Sequence, residues 1–301
     1  MKKMVLIHKY QKIGKYHSRS WKYERSTKYV FSKDNLLIEA GYYTHFNEKG
    51  MTNAIKHVIE LSTSYGCPFH CKYCASSMVT NISLLSSDDV FSVFSYIYND
   101  NRLSNIEKTE VSFMGIGDIY YTFNTVTATI PRIIALNDKI KFNVSSCYWT
   151  KKHIEELKQF SDYLKTIQIT FISSEESVVR SVIPGFPLEF YNIKDVLYHF
   201  NKIGLKYIRI NYVMIKDIND SDADFHRFID NVREYRENVV VRISRMNTTN
   251  ASSRNGLFSP SITDMIYFDD LLKRTSIESY LFYSFQDDAM NCGQLITECK
   301  L

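Results

Sequence analysis

Lys56-His-Val-Ile-Glu60-Leu61-Ser-Thr-Ser-Tyr-Gly-Cys67-Pro-Phe-His-Cys71-Lys-Tyr-Cys74 runs from an apolar, strand-like stretch straight into a short loop that carries three cysteines. Thiolates are the ligands that iron-sulfur clusters use, and three of them leave one iron of a 4Fe-4S cube open to a substrate. Structural zinc sites pair Cys-x2-Cys with a second Cys or His pair, and ferredoxin runs use Cys-x2-Cys-x2-Cys. Here the spacing is Cys-x3-Cys-x2-Cys with no second pair, which makes Cys67, Cys71 and Cys74 candidate cluster ligands.

Outward from this loop, apolar strand-like runs alternate with helical patterns from residue 56 onward, the signature of βα units and a parallel sheet. Strands are expected near 56–63, 109–115, 140–146, 166–172, 206–214 and 238–244, and helices near 86–98, 124–136, 151–162, 190–203 and 222–234. Ser87 before Asp88 and Asp89 suits a helix start. Six right-handed crossovers favour a curved sheet or partial barrel, with chemistry at the C-terminal strand ends. Upstream, Thr27–Phe31 and Leu36–Thr44 flank Lys33-Asp34-Asn35, which predicts a small hairpin. The expected fold is an α/β partial (β/α)6 barrel, TIM-like, with an N-terminal β-hairpin extension. It divides into a basic arm and hairpin over 1–50 and a core over 51–301. After Ser276 comes one more apolar run, then a polar loop ending in Cys292-Gly293-Gln294-Leu295.

At 301 residues and 45% hydrophobic content the chain can build one sizeable core. It has no run of eighteen apolar residues, and Met1–Tyr10 lacks a signal-peptide pattern, so a cytoplasmic protein without a membrane span is expected. Of its six cysteines, three crowd into the loop while Cys147, Cys292 and Cys299 are scattered, unlike a disulfide framework. The net charge of +4 conceals an asymmetry: residues 1–30 hold nine Lys or Arg and one acid, Glu24. Those bases are interleaved with Tyr10, Tyr16, Trp21, Tyr23 and Tyr29, a mixture that contacts phosphates and stacks on bases, or is simply a solvated tail.

Four strand ends carry small or polar residues. Phe113-Met-Gly115-Ile-Gly117-Asp118 offers two glycines and a carboxylate, Asn143-Val-Ser145-Ser146-Cys147 two hydroxyls and a thiol. Thr170-Phe171-Ile172-Ser173 and Arg245-Met246-Asn247 end two further strands. Each is a candidate cofactor contact or an ordinary turn and cap.

The cysteine spacing resembles the signature of the radical S-adenosylmethionine (SAM) superfamily, in which the open iron chelates SAM. Tyr73 then stands beside the adenine, and His70 is a surface residue, since a fourth ligand would block SAM. From about Thr27 to Leu295 the chain resembles the RlmN/Cfr-type adenine methyltransferases of ribosomal and transfer RNA. The matching segments are Gly115-Ile-Gly117-Asp118, Tyr212-Val-Met214 through Asn219-Asp220-Ser221, and Asp287-Asp288 through Leu295. This resemblance implies a 4Fe-4S cluster and SAM as cofactors, with SAM contacts at Tyr73, Gly117, Asp118, Ser145, Thr170, Phe171, Ile172 and Asn247. It implies Cys292 as the thiolate that takes a methyl group, whose hydrogen a 5′-deoxyadenosyl radical then abstracts, and Glu39 as a proton acceptor.

Two departures matter. The position of the family's second cysteine, which releases the adduct through a disulfide, is Glu60, a candidate general base; Cys147 or Cys299 is then a candidate for the release step. The family's helical RNA-binding domain is replaced by the basic arm. The expected activity is modification of an adenine in RNA. The alternative is radical chemistry on a peptide, a free nucleotide or another small molecule, and a non-enzymatic binding module is a third. RNA, held through the basic arm, and a flavodoxin- or ferredoxin-like electron donor are the expected partners of a monomer.

Overall fold

The computed structural model describes residues 4–106, 108–190, 192–205, 208–285 and 294–295. Three antiparallel strands come first: β1 (Val5–His17), β2 (Tyr23–Lys33) and β3 (Leu36–Phe46). The turn between β2 and β3 uses Asp34 and Asn35 at φ 53° and 63°, left-handed values that short polar side chains tolerate. β4 (Lys56–Glu60) starts the parallel series, and the two-residue β5 (Ser64–Tyr65) and β6 (Ser83–Leu84) pair beside the cysteine loop. The series continues with β7 (Thr109–Phe113), β8 (Lys141–Ser146), β9 (Leu164–Phe171), β10 (Ile208–Met214), β11 (Val239–Arg245) and β12 (Ser279–Ser284). Each of these parallel strands pairs with the next in sequence.

The helices are α1 (Ser87–Asp100), α2 (Ile119–Leu136), α3 (Lys151–Leu157), α4 (Glu176–Val182), α5 (Ile193–Lys202), α6 (Asp222–Val232), α7 (Asn250–Arg254) and α8 (Ile262–Arg274). The cap of α1 is Ser86, one residue before the expected Ser87, in a capping box with Asp89. Asp118 caps α2 and starts it earlier than the apolar periodicity indicates. α4, α7 and α8 were not foreseen.

The partial barrel is the expectation that changes most. The strands form one closed barrel in the order β1-β12-β11-β10-β9-β8-β7-β4-β3-β2. The hairpin is a three-stranded meander, and its first strand is the stretch expected as a basic arm. β1 pairs with β2 along most of its length, and its last residues meet β12 at Tyr16↔Ser284 and His17↔Tyr283. A strand accommodates this sequence because its side chains alternate: Lys9, Gln11, Ile13 and Lys15 are exposed, whereas Gly14 and Tyr16 are buried. Two of the basic groups are already paired, Lys9 with Asp100 at 2.7 Å and Arg19 with Glu278 at 2.5 Å.

Outward residues of the parallel strands, such as Ile59, Val111, Phe142, Ile169, Ile210, Val241 and Ile243, are essentially fully buried in the apolar core. Each such side chain contributes about 1.5–3 kcal/mol by leaving water. The inward positions differ from an ordinary parallel barrel, which branched apolar side chains fill. Here they are polar: Glu60, Asn143, Gln168, Arg209, Asn211, Arg242 and Ser244 line a lumen.

Candidate functional site

The lumen is a cavity of about 830 Å³, and the cysteine loop closes one side of it. Cys67, Cys71, Tyr73 and Cys74 face it from the segment after β4, Gly115 to Asp118 from the end of β7, and Ser145 and Cys147 from the end of β8. Thr170 and Asn247 add the ends of β9 and β11. Eleven of the fourteen residues singled out in the sequence therefore meet around one cavity. His70 is exposed, with a left-handed φ of 48°.

The loop is held from three sides. Phe69 is fully buried against Tyr121, Tyr120 and Phe186. The stretch after α4 clamps it, with Lys72 N donating to Val182 O at 2.9 Å and Gly185 N to Phe69 O at 3.0 Å. A Cβ on Gly185 would stand 1.9 Å from the Pro68 carbonyl oxygen, so only glycine allows this approach. From the far wall, Thr249 Oγ1 donates to Tyr73 O at 3.0 Å. Sequence reasoning missed Phe69, Gly185 and Thr249 because their role is contact across long sequence separation, which no local pattern reports.

Gly117 adopts φ 102°, and a Cβ there would lie 2.4 Å from Ser64 Oγ; one on Gly115 would lie 2.7 Å from Ser62 Oγ. The glycines thus press the β7–α2 turn onto the strand-end segment that precedes the cysteines. Asp118 Oδ1 accepts from Tyr120 N at 2.8 Å and Ser146 Oγ at 2.5 Å, and Oδ2 from Cys147 N at 3.0 Å. It ties the ends of β7 and β8 together. Burial pushes its carboxyl up to about 6, although those donors act in the opposite direction.

The thiols form one group. The Cys147 thiol is raised by its hydrogen bond with Cys71 and by burial, and Cys67 is raised by burial and by the neighbouring Cys71 and Asp118. Among the described residues no three His, Cys, Asp or Glu side chains converge as a single ion would require. A cube instead takes each thiolate on a separate iron. A loop with three thiols on one cavity, beside glycines that leave room for backbone approach, fits that group, with Cys67, Cys71 and Cys74 as its holders.

Ser145 accepts from Gln168 Nε2 at 2.8 Å and neighbours Thr170 at 3.5 Å. Phe171 and Ile172 do not join them. Phe171 points outward by strand alternation and packs on Tyr212 and Phe228, while Ile172 packs with Tyr148, Val179 and Val182; its carbonyl accepts from Asn219. Cys292 and Cys299 lie outside the described residues. Gln294 and Leu295 line the cavity, with Gln294 Nε2 donating to Thr248 O at 2.7 Å and Leu295 packing with Ala75 and Ile116.

Glu39 and Glu60 face the lumen from β3 and β4. Glu39 is buried. Glu60 Oε1 receives Tyr43 OH at 2.9 Å and Lys28 Nζ at 3.2 Å. Burial works against the Lys28 charge, yet Tyr43, Glu60 and Glu39 more than offset it and hold its ammonium well above the usual range.

No family model matches the chain. It is 25% identical over 249 residues to a Rhodopirellula baltica protein named "Probable RNA methyltransferase", covering 79% of this chain and 63% of that one. An Alkaliphilus oremlandii protein named "Probable dual-specificity RNA methyltransferase RlmN" is 24% identical over 280 residues, 89% of this chain and 75% of its own length. The chain thus spans less than two thirds of the first of these relatives. A radical SAM methyltransferase from Sphaerobacter thermophilus has the same fold, with a TM-score of 0.74 at 17% identity over 97% of this chain and 81% of that one. The chain's homologues are thus named RNA methyltransferases, several of the RlmN type, and its fold is that of a radical SAM methyltransferase. Among the described residues no helix is long and apolar enough to cross a membrane.

Proposed function

We propose that this chain is a radical SAM enzyme that modifies an adenine in RNA through Cys292. The observation that carries the reading is the convergence of three thiols, the Gly115–Asp118 turn and the hydroxyl-bearing ends of β8 and β9 on one cavity. Cys67, Cys71 and Cys74 would hold a 4Fe-4S cluster, which would supply the electron for cleavage of SAM. Gly117, Asp118, Ser145, Thr170 and Asn247 bind and orient that cofactor, and Tyr73 flanks its adenine. Glu39 and Glu60 accept protons at their carboxylate oxygens, with Lys28 and Tyr43 fixing Glu60 in place. The core over 51–301 carries the chemistry, and residues 1–50 complete the barrel. RNA and a flavodoxin- or ferredoxin-like reductant are the proposed partners of a cytoplasmic monomer.

Anaerobic reconstitution followed by mass analysis tests this: 5′-deoxyadenosine, S-methylation at Cys292 and a mass shift on adenine in RNA are expected, and Cys71→Ala abolishes all three. Unmodified Cys292 after incubation with SAM counts against the route. One observation favours the second reading, a nucleotide, peptide or other small substrate. The residue before the cysteine loop that would be a thiol in the resembling family is Glu60, locked to Lys28 and Tyr43.

A further inference from the structure

The parallel strands bury their outer faces in the core, whereas the end of β1 and the start of β2 leave theirs exposed. Lys15, His17 and Arg25 are open to solvent, as are Ile13 at 51% and Phe285, one residue past β12, at 54%. Alternation sets them on the outer surface, because Tyr16, Glu24 and Phe282 face the lumen. His17 stacks on Tyr283 across the β1–β12 seam, with ring centroids 5.0 Å apart and planes 4° from parallel. Phe285 meets Tyr283 edge-on at 5.3 Å, and Lys15 Nζ stands 5.1 Å from the Phe285 ring. Tyr23 pairs in register with Lys15, and Arg25 with Ile13. Rings, cations and an aliphatic side chain thus adjoin on one surface, and a contiguous exposed patch of this kind marks interaction sites more often than scattered apolar residues do.

The charge of these three strands is sorted by face. The carboxylates of β1, β2 and β3 are Glu24 and Glu39, and both face the lumen. Lys9, Lys28 and Lys33 are neutralised by Asp100, Glu60 and Asp89. Lys15 and Arg25 meet rings instead, Arg25 Cζ lying 5.5 Å from the Phe46 ring. The two are diagonal neighbours on paired strands, about 7 Å apart at Cβ, close enough for successive phosphates of one chain. Position adds a reason. β12 runs parallel to β11, whose end lines the cavity with the thiols, so Tyr283 and Phe285 stand at the rim of that mouth.

We propose that the outer face at the β1–β12 seam, formed by Lys15, His17, Tyr23, Arg25, Tyr283 and Phe285, is a docking platform for single-stranded RNA. Bases stack on its rings, and phosphates meet Lys15 and Arg25. The inference rests on the RNA reading proposed above and adds where the strand is held. Stacking tolerates any base but needs a free base face, so the platform takes a single strand in preference to a duplex.

The test is fluorescence anisotropy of a short labelled oligoadenylate RNA with the full chain, titrated at several salt concentrations. Phe285→Ala should weaken binding about tenfold, the loss of one stacked base, while Phe285→Trp should keep it. Lys15→Gln with Arg25→Gln should flatten the plot of log affinity against log salt by about 1.4, two single-strand phosphates at about 0.7 each. That slope does not depend on the folded fraction. An RNA duplex of the same length should bind about tenfold more weakly than the single strand. Equal binding of duplex and single strand overturns the proposal, as does an unchanged affinity in Phe285→Ala or an unchanged slope in the double variant. A dimer in sedimentation that Phe285→Ala dissolves also overturns it and assigns the face to a second copy of the chain. Failure of the RNA-modification reading shows elsewhere, in the Cys292 and RNA masses. RNA held by the platform yet left unmodified sinks that reading alone, whereas modified RNA with full affinity in Phe285→Ala sinks the platform alone.

Discussion

Glu60 shows how much one residue's surroundings add to its identity. The sequence presents it as a carboxylate where a thiol is expected, and so as a free base; the structure presents it as half of a buried ion pair. Its side chain is 19% exposed and that of Lys28 only 6%. Removing one partner leaves the other charge stranded, so Lys28→Met should lower unfolding free energy by about 3 kcal/mol, and Lys28→Met with Glu60→Gln should regain most of the loss. Urea denaturation of the three proteins checks this; a single variant within error of wild type would mean that solvent screens the pair. Asp118 carries a pH signature. Its folded value near 6 exceeds the ordinary 3.8, so the folded state holds the extra proton between those limits and stability falls as pH rises through them. The change is on the order of 3 kcal/mol. Wild type should therefore lose ground to Asp118→Asn between pH 4 and pH 7, and a difference that stays flat would refute the shift. Phe171 and Ile172 entered the candidate set by resemblance, and neither side chain lines the cavity. Alternation already pointed Phe171 the other way once Gln168 and Thr170 faced inward.

At the scale of elements, the parallel strands and most helices were legible because apolar periodicity and caps are local. The cysteine loop was equally plain, since three thiols in eight residues leave few uses. What stayed hidden was what presses on that loop. Gly185→Ala should leave the barrel folded while displacing Pro68, so its circular dichroism matches wild type but cluster uptake, followed by absorbance and iron content, falls severalfold. Uptake equal to wild type would show that the loop sets itself. The polar lumen was also written in the sequence, as the alternation Ile208-Arg-Ile-Asn-Tyr in β10 and Val241-Arg-Ile-Ser in β11. A parallel strand covered on both faces normally reads as a continuous apolar run, and that break in the rule marks the inner wall as functional.

For the whole molecule, the basic charge of the first residues concealed a strand. Residues 5–17 drew the reading of an arm for RNA because they are basic, but β1 is a stave of the barrel. Deleting residues 1–17 should therefore unfold or aggregate the chain, exposing the edges of β2 and β12. An arm would cost only affinity for RNA. Thermal melting separates the two: a truncated chain that melts as wild type does would return β1 to the role of an appendage.

The β1–β12 junction sets the order in which the cylinder assembles. Only two residue pairs join strands from opposite ends of the described chain, so this seam bears nearly the whole entropic cost of circularising the sheet and has little ladder with which to repay it. It should be the last contact to form after a denaturant jump, and the amides of Tyr16 and His17 should exchange with deuterium well before those in the middle of β10.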